Sequence, residues 1–207
     1  MRALRIGTAI ALLGAAVLIA CLALDVIHWR DAIRRGDREF ERSAAGAAWK
    51  ASTVLPSDPA RGLLGLGLPL RFRTAAQSFA AVQTAGQGYD NGLSETRTRG
   101  ELEAELAELA QSRDHVIASR ADNMLGILAF ADATPSGPIA PAPIDLSVAD
   151  FQAAIRLDPT SVEAKFNLEL LLRQLLAKVV RPGANNSAAG PANGHHGAGG
   201  GLPGRGY

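Results

Sequence analysis

The sequence predicts an all-α protein, with a single N-terminal transmembrane helix followed by a helical-hairpin domain. Three observations carry this. Residues 6–24, IGTAIALLGAAVLIACLAL, form an unbroken run of apolar and small side chains. Downstream, apolar residues return at spacings of three and four, the period of an amphipathic helix. Ala, Leu and Gly dominate, and at 5% aromatic content the strand-favouring aromatics are scarce, which puts an all-β or α/β fold at a disadvantage.

The 207 residues leave room for one membrane segment and a small domain. With 21 basic and 20 acidic residues the net charge is +1, and the charges are interspersed. The chain therefore lacks the basic footprint of a nucleic-acid binder, and no nucleic-acid partner is expected. The one cysteine, Cys21, lies inside the apolar run. No intrachain disulfide can form, so the domain must rely on its helical core.

Residues 1–29 read as the anchor. At 1.5 Å per residue the apolar run is about 28 Å long, close to the hydrocarbon thickness of a bilayer. Ile6, Leu12, Leu13, Val17, Leu18 and Leu22 supply the lipid-facing bulk, and Trp29 fits the interfacial aromatic belt. Three fates remain open. A retained signal anchor fits the length and flanks. A cleaved signal conflicts with a run longer than the usual h-region of about 7–15 residues. A lipoprotein signal is suggested by Leu18-Ile19-Ala20-Cys21, with Cys21 as the acylated residue, although Leu22, Ala23 and Leu24 stay apolar where a polar linker would follow. Lys and Arg counts favour the C-terminal side inside, and net charge favours the reverse. The signal-like core points to a single-pass protein of the cell membrane with its bulk outside the cytoplasm.

Residues 30–113 read as a helical linker. A helix over 31–50 gathers Ile33, Phe40, Ala44, Ala47 and Ala48 on one face. Asp58-Pro59 is a start signal, a cap followed by proline at the first helical position. The spacing Gly62, Gly65, Gly67 is a glycine-rich connection and not a phosphate loop, because no strand precedes it and no GK[ST] follows. A helix over 70–84 carries Phe72, Ala75, Ala76, Phe79 and Val82, and 86–92 is a loop. A helix over 94–112 has Leu102, Leu106 and Leu109 on one stripe, with Glu101, Glu103, Glu105 and Glu108 forming a solvated face.

Residues 114–181 form the C-terminal domain. A helix over 114–132 buries Val116, Ile117, Met124, Leu125, Ile127, Leu128 and Phe130. Pro135, Pro138, Pro141 and Pro143 then imply an extended loop over 133–144. Ser147 to Asp150 opens the next helix in capping-box style, with Phe151, Ala154 and Ile155 on its apolar face. Thr160-Ser161-Val162-Glu163 is a full capping box for a last helix running to Val180. That helix is apolar on more than one face, through Val162, Phe166, Leu168, Leu170, Leu171, Leu172, Leu175, Leu176 and Val179. Such a helix must meet two neighbours, or one neighbour and a partner. Phe151, Ile155, Phe166, Leu168, Leu171 and Leu175 are the candidate partner-binding residues. Residues 182–207 are Gly, Ala, Asn and Pro with little apolar bulk, the composition of a disordered tail.

The stretch FQAAIRLDPTSVEAKFNLELLL resembles the junction of two tetratricopeptide (TPR) repeats. Phe151, Ala154 and Pro159 fall on the repeat's aromatic, alanine and proline positions, and Phe166 and Leu168 match the start of the next helix. Asn123-Met124-Leu125-Gly126 resembles the preceding helix A, giving a TPR-like domain over about 118–180. Glu169 departs from the usual glycine and Lys165 from the usual aromatic. The segment AKFNLELLLR, together with Asp25-Val26-Ile27-His28-Trp29 and Leu55-Pro56-Ser57-Asp58-Pro59-Ala60-Arg61-Gly62-Leu63-Leu64-Gly65, is similar to bacterial membrane TPR proteins found beside MoxR-type AAA+ ATPases and von Willebrand factor A proteins (BatC-like proteins). The resemblance implies a scaffold or assembly role with those proteins as partners.

No nucleophile with a base, metal-ligand cluster or nucleotide loop is recognisable, so no enzyme activity, catalytic residue, metal or cofactor is expected. His195-His196 reads as a solvated pair, and Asn185-Asn186-Ser187 is a sequon only in a eukaryotic secretory setting. The leading expectation is an anchored scaffold for protein–protein interaction. The alternative is a structural subunit of a membrane complex, associating through Gly7, Ala11, Gly14 and Ala15 of its transmembrane helix. A lipid- or peptidoglycan-handling enzyme would need a pocket of perturbed acids near 31–41.

Overall fold

The computed structural model describes residues 2–85, 92–133 and 141–180. Within them the chain is all-helical, with no strand. The helices are α1 (Arg2–Arg42), α2 (Pro59–Leu63), α3 (Gly67–Ala85), α4 (Gly92–Ala110), α5 (His115–Ala133), α6 (Pro141–Leu157) and α7 (Val162–Val180), with a 3-10 turn at Ala44–Gly46. The expected loop over 86–92 lies outside the described residues except for Gly92, which opens α4. The expected tail over 182–207 and both tail motifs lie wholly outside them. The chain divides into two compact units, Met1–Arg99 and Gly100–Tyr207.

In the first unit, α1 runs unbroken for 41 residues. It is long and apolar enough to cross a membrane. Residues 6–20 are exposed all round, and cover from the rest of the unit begins at Cys21 and Leu22. Beyond that point the chain after α1 folds back along the helix. Trp29, Ala60, Leu66 and Leu70 form a buried cluster, flanked by Leu22, Val26, Ile33, Trp49, Ala51 and Leu64. This corrects the expectation for Trp29. Its ring is only 5% exposed and its Nε1 donates to Asp58 Oδ1 at 2.8 Å, so it belongs to the protein core and not to a lipid-facing aromatic belt.

Polar contacts hold the returning chain in register. Asp25, completely buried, accepts hydrogen bonds from the backbone N–H of Val54 at 2.6 Å and of Leu55 at 3.0 Å. A Cβ on Gly36 would lie 2.5 Å from Trp49 Cδ1, so the missing side chain lets the indole rest on the helix. Trp49 Nε1 donates to Asp37 Oδ1 at 2.7 Å. Arg73 of α3 grips the same carboxylate with two parallel bonds, Nε to Oδ1 at 2.8 Å and Nη2 to Oδ2 at 3.0 Å, the strong bidentate geometry. Burial alone would raise the Asp37 pKa, but the bonds from Arg73 and Trp49 and the Arg73 charge outweigh it and hold the carboxyl below its usual value. Gln77 Nε2 donates to the carbonyls of Ala44 and Ala47.

In the second unit, α4 buries Leu102, Leu106 and Leu109, the stripe read from the sequence. Asp114 caps α5, its Oδ1 accepting from the N–H of Val116 and Ile117. α5 is covered on nearly every side, although Val116, expected inside, is exposed. α5 and α6 pack together along their length, and α7 lies against both.

Two expectations about α6 are corrected. The proline segment is not extended throughout: Pro141 and Pro143 stand in the first turn of α6, where no intrahelical bond needs the missing N–H. Pro135 and Pro138 lie outside the described residues. Ser147 does not open the helix either. It sits in its middle, and its hydroxyl donates to the Gly126 carbonyl of α5 at 2.8 Å. The cap of α7 also shifts by one residue. Ser161 Oγ accepts from the Ala164 N–H, while Thr160 Oγ1 and its N–H both donate to Asp158.

Candidate interaction surface

α7 shows how its sequence divides between two faces. Ala164, Asn167 and Leu171 point inward and are buried. Asn167 Nδ2 donates to Asn123 Oδ1 of α5 at 2.9 Å, a buried polar tie that fixes the register of the two helices. On the opposite face, Val162 is 72% exposed, Phe166 50%, Leu172 46% and Leu176 63%. At 100° per residue these four occupy one side of the cylinder. The Glu169–Arg173 ion pair lies among them. The result is an apolar patch with a charged ridge, presented by a helix whose other side is committed to the core.

The six residues expected to bind a partner separate accordingly. Phe166 is on the outer face. Leu168 and Leu175 are half-buried on the flank of α7, and Ile155 is half-buried on α6. Phe151 and Leu171 are fully buried and serve the packing of the second unit. Leu172, Leu176 and Val162 are the outer-face residues that the expected site left out. A helical wheel would have grouped them with Phe166, because all three fall within about one third of a turn on the same side of it.

The floor of the unit is set by a close approach between α5 and α6. A Cβ on Gly126 would meet Phe151 Cδ1 and Cε1 at 2.7 Å, so this glycine is what admits the Phe151 ring. Ser119 Oγ donates to the Ala154 carbonyl at 2.8 Å and ties the other end of the pair.

One electrostatic feature was not visible in the sequence. Asp122 of α5 and Asp150 of α6 are both half-buried and interact with each other. Burial pushes the Asp122 carboxyl up to about 6, against the opposing charge of Arg156. Burial and then the Asp122 charge push Asp150 up to about 6 as well. The two lie 28 positions apart, so only the hairpin brings them together. Among the described residues no group of three or more His, Cys, Asp or Glu side chains could hold a metal ion.

The residues expected to form the anchor also separate. Ile6, Leu12, Leu13, Val17 and Leu18 are fully open, Leu22 is partly covered, and Trp29 is enclosed. Gly7 and Gly14 have open space where a Cβ would stand.

No family model, curated protein or solved structure matches the chain.

Proposed function

We propose that the protein is a membrane-anchored helical scaffold that recruits a protein partner on the outer face of α7. The observation that carries this is the division of α7 into a buried face and an opposite face of exposed apolar side chains. Helix-in-groove and helix-on-helix recognition both use anchors at such spacings. The chain is not an enzyme in this reading.

The α5–α6–α7 arrangement supports a TPR-like hairpin as its basis. In the repeat pattern an L-G pair on the first helix accompanies a small residue and an aromatic four apart on the second. Here Leu125-Gly126 and Ser147-x-x-x-Phe151 fill those places, and Gly126 is contacted by both Ser147 and Phe151. α7 would then be the first helix of a following repeat, and its open face is where an added helix would stack. The resemblance to BatC-like proteins names MoxR-type ATPases and von Willebrand factor A proteins as the partners to test.

The experiment is site-specific photocrosslinking in intact cells from Phe166 and Leu176, with Leu13 as a control in the apolar run. Crosslinks from the two α7 positions to such an ATPase or von Willebrand factor A protein support the reading. Crosslinks from Leu13 alone favour the second reading, a subunit that associates through α1. That alternative draws on the open space at Gly7 and Gly14, which permits close helix approach. The proposed location is the cell membrane, single-pass, with the bulk of the chain outside the cytoplasm. Labelling of Ala45→Cys by an impermeant maleimide in whole cells tests the sidedness.

A further inference from the structure

The returning chain of the first unit reaches the end of the apolar run and presents apolar side chains there. Asp25 directly follows Leu24, the last residue of that run, and its carboxylate holds the N–H groups of Val54 and Leu55. These residues are therefore fixed at the level where the run ends. Leu64 packs on the same cluster as Leu22, a residue inside the run. The chain turns sharply between these points. Ser57 and Asp58 both take positive φ, 68° and 49°, a conformation that L-residues other than Asn and Asp rarely adopt. Asp58 caps α2 through the Arg61 N–H and accepts from Trp29, which holds the turn in place.

The tip so formed is apolar and open. Val54 is 53% exposed and Leu63 69%. Leu24 and Ile27 of α1, at the same level, are also about half exposed. Scattered exposed apolar residues are ordinary on a soluble surface. Here Val54, Leu24 and Ile27 lie where the apolar run ends, and Leu63 adjoins Leu64, which packs on the cluster that includes Leu22. Arg30 and Arg61 are exposed nearby, the residue type that extends to lipid phosphates while its stem lies on apolar surface. The handling of Asp25 agrees with this placement. A carboxylate at the hydrocarbon edge is costly, and two charge-assisted backbone bonds offset that cost while the loop excludes lipid from it.

We propose that residues 54–63 form a second membrane contact, seated in the interfacial layer of the bilayer that receives α1, with Val54 and Leu63 at the acyl boundary. This rests on α1 being a membrane helix. It makes the first unit a body docked on the lipid surface and not one carried clear of it.

The test uses the full chain in a Cys21→Ala background, with single cysteines replacing Leu13, Val54, Leu63 or Ala45, each labelled with an environment-sensitive fluorophore. The proteins are reconstituted into phosphatidylcholine–phosphatidylglycerol vesicles containing either shallow or deep nitroxide lipids. The expected result is a blue shift and loss of emission with the shallow quencher at positions 54 and 63. Position 13 should respond to the deep quencher and position 45 to neither. Quenching at 13 with water-like emission at both 54 and 63 would overturn the second contact and leave the anchor intact. Water-like emission at 13 as well would overturn both. Circular dichroism of each labelled protein confirms that the helices persist.

Discussion

The indole of Trp29 donates its N–H to the carboxylate of Asp58 at 2.8 Å, across 29 residues of sequence. The same carboxylate oxygen accepts the Arg61 N–H, so one side chain both caps α2 and ties it to α1. Trp29→Phe keeps most of the ring packing and removes the bond. It should cost about 1.5–3 kcal/mol, the range for a hydrogen bond to a charged group. Asp58→Gly suits the positive φ but loses both the cap and the indole acceptor. The double variant should lose less than the sum of the two, because they share one interaction. Denaturant unfolding of the full chain in detergent, followed by circular dichroism, measures all three.

Gly126 gives a sharper contrast. Gly126→Ala drives a methyl into the Phe151 ring and should destabilise the second unit by about 1–3 kcal/mol, as overpacking does. Phe151→Leu in the same chain should recover part of that loss. Gly100, inside α4, has nothing within 4 Å of its Cβ position. Gly100→Ala should therefore stabilise by about 0.5–1 kcal/mol through helix propensity alone. An equal stabilisation at the two glycines would show that the Phe151 ring does not need the space at Gly126.

Periodicity made the helices legible. The stripe Leu102, Leu106, Leu109 and the over-apolar α7 both follow from side chains spaced at three and four. Local cap chemistry was legible where it stood alone, as at Asp58-Pro59. It misled where other interactions competed. Ser147 has the residue type of a cap, but its hydroxyl serves a tertiary bond to Gly126, and the helix begins earlier, at prolines tolerated in a first turn. Trp29 has the composition and position of a membrane-belt residue, yet a partner 29 residues away draws it inside. The Asp122–Asp150 pair was hidden for the same reason. Contacts made by chain reversal leave no mark in local spacing.

That acid pair sets the pH behaviour of the second unit. Both carboxyls have folded pKa values raised to about 6 from 3.8. The folded state then binds more protons than the unfolded state between those values. Stability from this source is fully present below about 4 and is lost as pH rises through about 6. Asp37 has the opposite sign: its pKa is lowered, so its contribution is present above 3.8 and lost only as pH falls below that. Between pH 7.5 and 5 the acid pair acts and Asp37 does not, and the melting temperature of the second unit should rise on acidification. Asp150→Asn should raise stability at pH 7.5 and flatten the dependence, since it removes both a desolvated charge and the repulsion on Asp122. Calorimetry across that range reads both effects, and an unchanged slope in Asp150→Asn would remove Asp150 as a source.

The outer face of α7 can be separated from the core by two substitutions on the same helix. Leu171 is completely buried, so Leu171→Asp places an unpaired charge in the core. It should cost more than about 4 kcal/mol, among the largest effects single substitutions produce, and unfold much of the second unit. Phe166 is half exposed on the opposite side, so Phe166→Asp should leave the helices and their melting temperature nearly unchanged. If the outer face recruits a partner, Phe166→Asp should still abolish crosslinking from Leu176, and Leu172→Asp should act in the same way. Loss of crosslinking in Leu171→Asp alone would carry no such meaning, because unfolding would explain it. Undiminished crosslinking in a well-folded Phe166→Asp, Leu172→Asp double variant would move the docking site off this face, leaving α1 and its open glycines as the next surface to test.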